Sequence, residues 1–145
     1  MKAYSMSKTE DWGFSIKFID VYGDKWKSFA NEITKTIYQK IKAHSHFKDP
    51  IISFQTESLK NDNTSFKFWI MKNSEQRCGY FTVKKGYSKA IKGITYTTFF
   101  VSTSTYTGKF LAPFIEFRNP NFRDMLYDAV KNMANPEFEE RSNAA

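Results

Sequence analysis

His44 and His46 are the only histidines in the chain, and they stand two residues apart. On a helix that offset turns the two rings about 200° from each other, so one ion cannot be held by both. A zinc centre also needs three or four ligands. The pair is therefore read as part of a helix end, where a protonated imidazole suits the terminal carbonyls. Cys78 has Arg77 beside it, and a neighbouring cation favours the thiolate. No cysteine-centred motif surrounds it, so Cys78 is read as a small buried hydrophobe. Glu32, Asp49, Glu57 and Glu116 show no spacing that would pair two carboxylates for acid–base work. Lys84-Lys85-Gly86 and Lys92-Gly93 lack the spacing of a phosphate loop. The chain is not read as an enzyme, and no cofactor, metal or catalytic residue is expected.

What does recur is a lysine beside an aromatic ring. Ser65 to Lys72 alternates with the period of a strand, placing Phe66, Phe68 and Ile70 on one face and Lys67, Trp69 and Met71 on the other. Cys78 to Lys85 alternates likewise, with Phe81 and Val83 opposite Tyr80, Thr82 and Lys84. If the wholly apolar faces meet the core, Lys67, Trp69, Tyr80 and Lys84 face outward on adjacent strands. An exposed ring stacks on any base while an ammonium meets phosphate, which suits a single strand of nucleic acid. Arg77, Lys85, Lys89 and Lys92 would extend the positive track through a turn and a glycine-bounded basic loop, residues 86–93. The candidate nucleic-acid-binding residues are thus Lys67, Trp69, Arg77, Tyr80, Lys84, Lys85, Lys89 and Lys92. The competing reading for Trp69 and Tyr80 is a second apolar layer or a subunit interface, where aromatics are also enriched.

Charge points to the same region. The chain of 145 residues has a net charge of +7. Residues 1–60 contribute +3 and residues 110–145 contribute −2, whereas residues 61–109 contribute +6, with eight Lys/Arg against Asp62 and Glu75. A polyanion would be drawn to this middle third. The bland alternative is a lysine-rich solvated surface. The chain is 41% hydrophobic and 18% aromatic. It can therefore build a core, which excludes disorder for most of its length. A single cysteine allows no internal disulfide and fits a reducing compartment. No apolar run approaches the ~20 residues that span a bilayer, and the first residues lack a signal-peptide core. The expectation is a cytoplasmic protein with no membrane partner.

These side chains need elements to hold them. The length suits one α+β domain, read as residues 12–136 between a flexible N-terminus, 1–11, and a flexible acidic tail, 137–145. Trp12, Phe14, Ile16 and Phe18 alternate as a first strand. Asp24 is a plausible N-cap for a long helix over 24–46. Its apolar stripe is Trp26, Phe29, Ile33, Ile37 and Ile41, at helical spacing. Five strands follow: 51–59, 65–72, 78–85, 94–106 and 110–118. Asn119-Pro120 opens a second helix, with stripe Phe122, Leu126, Ala129, Val130 and Met133. The order is β-α-β-β-β-β-β-α with antiparallel pairing.

One internal echo is more specific. Phe18-Ile19-Asp20-Val21-Tyr22-Gly23-Asp24-Lys25-Trp26-Lys27-Ser28-Phe29 and Phe114-Ile115-Glu116-Phe117-Arg118-Asn119-Pro120-Asn121-Phe122-Arg123-Asp124-Met125 are alike. They share a Phe-Ile-acid-apolar strand end, a turn, and an aromatic-basic-polar-apolar helix start, as two related units would. Convergence at two strand-to-helix joints would give the same echo. In this layout the chain resembles the Whirly family and, more broadly, the transcription-coactivator and PUR-type single-strand binders. The resemblance spans about residues 12–134 as a pattern of elements. It includes RNA-binding Whirly-like proteins of nucleus-forming bacteriophages. It implies a homo-oligomer that binds single-stranded RNA or DNA, RNA foremost, with little sequence preference, and a phage origin. Two other readings stay open. The same element order describes a helix-grip carrier of an apolar ligand, which needs a hollow between the second helix and a curved sheet. A phage protein-interaction module acting on a host protein is the third.

Overall fold

The structure, a computed structural model, describes residues 2–10, 12–20, 23–43, 51–57, 65–71, 77–105 and 119–139. For 51–57, 71, 77, 78, 104 and 105 the description is of the backbone alone. The chain is α+β. Its strands are β1 (Tyr4–Lys8), β2 (Phe14–Ile19), β3 (Ile51–Glu57), β4 (Ser65–Met71), β5 (Arg77–Ile91) and β6 (Ile94–Thr105). Helix α1 (Trp26–Ala43) follows β2, and helix α2 (Pro120–Lys131) follows β6. The strands form one antiparallel sheet in the order β1-β2-β6-β5-β4-β3. The β3-β4-β5-β6 meander is the one that alternation predicts. The strand expected at 110–118 and the strand half of the second echo lie outside the described residues, as do His44 and His46.

Both helices cover one face of the sheet, because only one face is continuously apolar. Phe14, Ile16 and Phe18 of β2, Phe99 and Val101 of β6, Phe81 and Val83 of β5, and Phe68 and Ile70 of β4 are all buried there. Helix α1 meets them with Phe29, Ile33, Ile37 and Ile41, the stripe its period predicts. Phe29 lies at the centre, stacked on Phe18 with ring centroids 4.1 Å apart. Helix α2 adds Phe122, Leu126 and Val130. Its start is as expected. Pro120 opens the helix, where its fixed φ costs nothing. The Asn119 side chain accepts a hydrogen bond from the Asn121 N–H at 2.8 Å, the bond of an N-cap.

Four expectations are corrected. Among the described residues no hydrogen bond ties the start of α1 to Asp24; instead the buried Asp20 side chain accepts the N–H of Lys25, just before the helix, at 3.1 Å, and the Asp20 N–H reaches the Thr95 carbonyl at 2.8 Å. Residues 4–8 are not a loose end. They pair with β2, Tyr4 and Met6 turn toward the helices, and the Tyr4 hydroxyl donates to the Val130 carbonyl at 2.8 Å. Burial, helped by the charge of Glu139, pushes that phenol up to about 12. It therefore stays a donor at neutral pH. The domain also does not stop at 136, because Phe138 is buried edge-on against Phe29 and the Ala3 N–H bonds its carbonyl at 3.0 Å. Residues 86–91 are not a loop either. β5 runs on to Ile91 and turns through Lys92 and Gly93, with φ of 52° and 79°. A tight hairpin turn requires such a pair of positive values.

Gly13 shows how closely β2 approaches β6. A Cβ on Gly13 would stand 2.1 Å from the Val101 carbonyl oxygen, a backbone atom that cannot swing aside. Gly13→Ala is expected to cost about 3 kcal/mol, the upper range for overpacking, read as a lower urea midpoint at unchanged slope.

Candidate nucleic-acid interface

The face turned away from the helices is built by the same alternation. Register sets Lys17 of β2 opposite Thr98 of β6, and Ile19 opposite Tyr96. Tyr96 in turn faces Lys89 of β5, Phe100 faces Lys84, and Ser102 faces Thr82. Thr82 then faces Lys67 of β4, and Tyr80 faces Trp69. The outward positions of β1, β2, β4, β5 and β6 hold lysines at 17, 67, 84 and 89 and no carboxylate. From Arg77 to Thr105 the chain has five basic residues and no Asp or Glu.

On the helical side, two carboxylates are paired with cations. Asp124 of α2 is bonded by Lys8 and Arg123, each at 3.0 Å, and Glu137 by Lys25 at 3.2 Å. The hydrogen bond from Lys8, with that from Arg123, holds the Asp124 carboxyl below its usual range, because both favour the ionised form. The sheet therefore separates a mixed-charge helical side from an outer side that is basic across these five strands.

Within the outer face the rings are held by lysines. Lys17 Nζ lies 4.9 Å from the Tyr96 ring centroid, within the range of a cation–π contact. Lys67 Nζ lies 4.3 Å from Tyr80 and 5.6 Å from Trp69. Phe100, 39% exposed, rests over Gly86: a Cβ there would come within 2.8 Å of the ring edge and 3.2 Å of the Thr98 carbonyl. The missing side chain at Gly86 thus seats the Phe100 ring. Gly86→Ala is expected to displace that ring and cost about 1 kcal/mol, less than Gly13→Ala because a side-chain edge can yield. A urea titration of both variants checks the ranking.

The eight expected residues are only partly assembled. Lys67, Trp69, Tyr80, Lys84 and Lys89 share the outer face, and Trp69 meets Tyr80 with centroids 4.7 Å apart. Trp69 is not an open stacking surface, however, since it is only 5% exposed. Lys85 is on the wrong side: strand alternation turns it toward the helices, where its Nζ lies 4.7 Å from the Trp26 ring. Lys92 sits in the hairpin turn. Arg77 is placed in β5 by its backbone pairing with Met71. Sequence reasoning missed Lys17, Tyr96 and Phe100. Tyr96, Thr98 and Phe100 do alternate with Thr97, Phe99 and Val101, but the rich apolar run hid that period. Lys17 joins them only because β2 pairs with β6.

The chain matches no protein-family model, no curated protein and no solved structure. Among the described residues, no helix is long and apolar enough to cross a membrane.

Proposed function

We propose that the chain binds single-stranded nucleic acid across the outer face of its sheet, with little sequence preference and with RNA as the foremost partner. The observation that carries this reading is the outer face of β1, β2, β4, β5 and β6, which has no carboxylate and on which Tyr96, Phe100 and Tyr80 stand among Lys17, Lys84, Lys89 and Lys67. Rings stack on bases of any identity and lysines meet the phosphates. The Whirly-like resemblance supports the same partner class and adds the preference for RNA. Self-association through this face is disfavoured, because a two-fold contact would set its lysines against their own copies. A carrier of apolar ligands would need a hollow between the second helix, α2, and the sheet. Phe122, Leu126 and Val130 of α2 are instead buried in the same core as Phe14, Ile16 and Val101, and Tyr127 meets Phe14 edge-on at 5.5 Å. The cleft beside α2, about 370 Å³, is lined by Lys2 and Lys131 as well as Tyr4, Met6 and Tyr127, which does not suit a wholly apolar ligand.

Fluorescence polarisation with labelled single-stranded RNA and DNA over a salt series tests the proposal. Three to four phosphate contacts would give log affinity against log salt a slope of about −2 to −3. Absence of binding at low salt would sink it.

A further inference from the structure

The β5–β6 hairpin reaches past its neighbours. Among the described residues β4 pairs with β5 only as far as Lys84, and β2 pairs with β6 only as far as Tyr96. Beyond both points only the Ala90–Thr95 and Ile91–Ile94 pairs remain, and they join β5 to β6 alone, apart from the Asp20 N–H bond to the Thr95 carbonyl. Two residues on each strand carry the tip about 7 Å beyond the last β2 pair. Ile91 and Ile94 face each other at its end, and alternation from the Lys89–Tyr96 pair puts them on the outer face. They are 40% and 39% exposed, and Tyr87, at the bulge between Lys85 and Ser88, is 69% exposed. Lys92 occupies the turn, and no carboxylate lies anywhere on the two strands.

We propose that this tip is a strand-opening wedge. Apolar side chains that enter between base steps unstack them, and flanking cations hold the backbone while they do so. Here Ile91 and Ile94 would enter the end of a paired stem, with Lys89 and Lys92 on its phosphates. The freed strand would then meet Tyr96, Lys17, Phe100 and Lys84, which continue from the tip along the same face. That continuity, together with the one-signed charge, favours a nucleic-acid stem over a lipid surface. The inference rests on the proposed single-strand binding and adds an activity to it: the protein would open paired segments rather than wait for them to open.

The kinetics of opening separate the two. A passive binder captures a stem only after spontaneous fraying, so its observed rate levels off at the fraying rate. A wedge makes the rate rise with protein concentration beyond that limit. The experiment is stopped-flow fluorescence of an RNA stem-loop carrying a dye and quencher at its ends, mixed with the full chain. The expected result is an opening rate about tenfold above spontaneous fraying, as intercalating side chains lower the unstacking barrier. Ile91→Ser/Ile94→Ser should bring the rate back to the fraying limit while affinity for an unstructured strand stays within about twofold. Ile91→Leu/Ile94→Leu should retain opening. If the wild-type rate levels off at the fraying limit, or the serine variant opens stems as fast as wild type, the wedge is overturned while single-strand binding stands. If the unstructured strand is not bound, the underlying function fails instead. Isoleucine-dependent binding to phosphatidylcholine–phosphatidylserine vesicles without stem opening would also overturn the wedge and make the tip a lipid contact.

Discussion

Phe29→Ala is expected to destabilise the fold by about 4 kcal/mol, within the usual range for truncating a buried phenylalanine. Phe29 is fully buried, and its ring meets rings from four separate parts of the chain. Phe18 of β2 is stacked at 4.1 Å, Tyr4 of β1 lies at 5.1 Å, Phe99 of β6 at 5.5 Å and Phe138 of the C-terminal turn at 5.1 Å. The cost of such a truncation grows with the cavity that remains. Here the cavity cannot collapse easily, because its walls are rigid rings anchored in different elements. A domain of this size has only about 5–15 kcal/mol of stability in total, so the variant would stand near the limit of folding at physiological temperature. Thermal and urea unfolding followed by tryptophan fluorescence should show a midpoint lower by about 12 °C at unchanged urea slope. Phe29→Leu, which fills most of the space, should cost less than half as much. If the alanine variant lost less than about 1 kcal/mol, Phe29 would not be the point on which α1, β1, β2 and the C-terminal turn converge.

The ease with which α1, β4 and the first part of β5 are read from sequence has the same source as that stability. Each has apolar residues at nearly every position its period assigns to the core, the exception being Thr34 of α1, whose buried hydroxyl donates to the Ala30 carbonyl at 2.7 Å, so local pattern and final packing agree. The misread parts owe their structure to partners distant in sequence. β1 is polar in composition and is a strand because β2 lies beside it and Phe138 caps its start. Asp20 is an unremarkable acid until the end of β2 is known to abut the start of α1. The span 86–93 has glycine at both ends, a loop signal, yet those glycines mark a bulge and a hairpin turn. At the interface, alternation alone assigns Lys67, Tyr80 and Lys84 to the outer face. It cannot supply Lys17, which depends on strand order, and it cannot reveal that Trp69 is covered. It does place Lys84 and Lys85 on opposite faces, so their adjacency in sequence does not make them one basic cluster.

Reversing charge on one side of the sheet should abolish binding, while the same change on the other side should not. Lys17, Lys84 and Lys89 lie on the outer face; Lys35, Lys40 and Lys42 are exposed on α1. Converting either trio to glutamate removes two charges per site and takes the net charge from +7 to +1. If attraction of a polyanion depended on net charge alone, the two triple variants would lose affinity equally. If the outer face is the contact surface, each lost phosphate contact removes the release of about 0.7 of a counterion on a single strand. At about 0.1 M salt that is roughly fivefold per contact, so the outer trio should lose at least about 100-fold and its salt slope should flatten by about 2. The helix trio should stay within about threefold with its slope nearly intact, because a Debye length of about 10 Å screens charges on the far side of the domain. Tyr96→Ala/Phe100→Ala should behave differently from both. Loss of stacking at roughly 1–3 kcal/mol per base lowers affinity tenfold or more but leaves the slope unchanged, since no phosphate contact is lost. A flattened slope for lysines and an unchanged slope for rings, measured by polarisation across one salt series, would assign the two roles on this face separately. Equal losses from the outer and helical trios would remove the outer face as the binding surface.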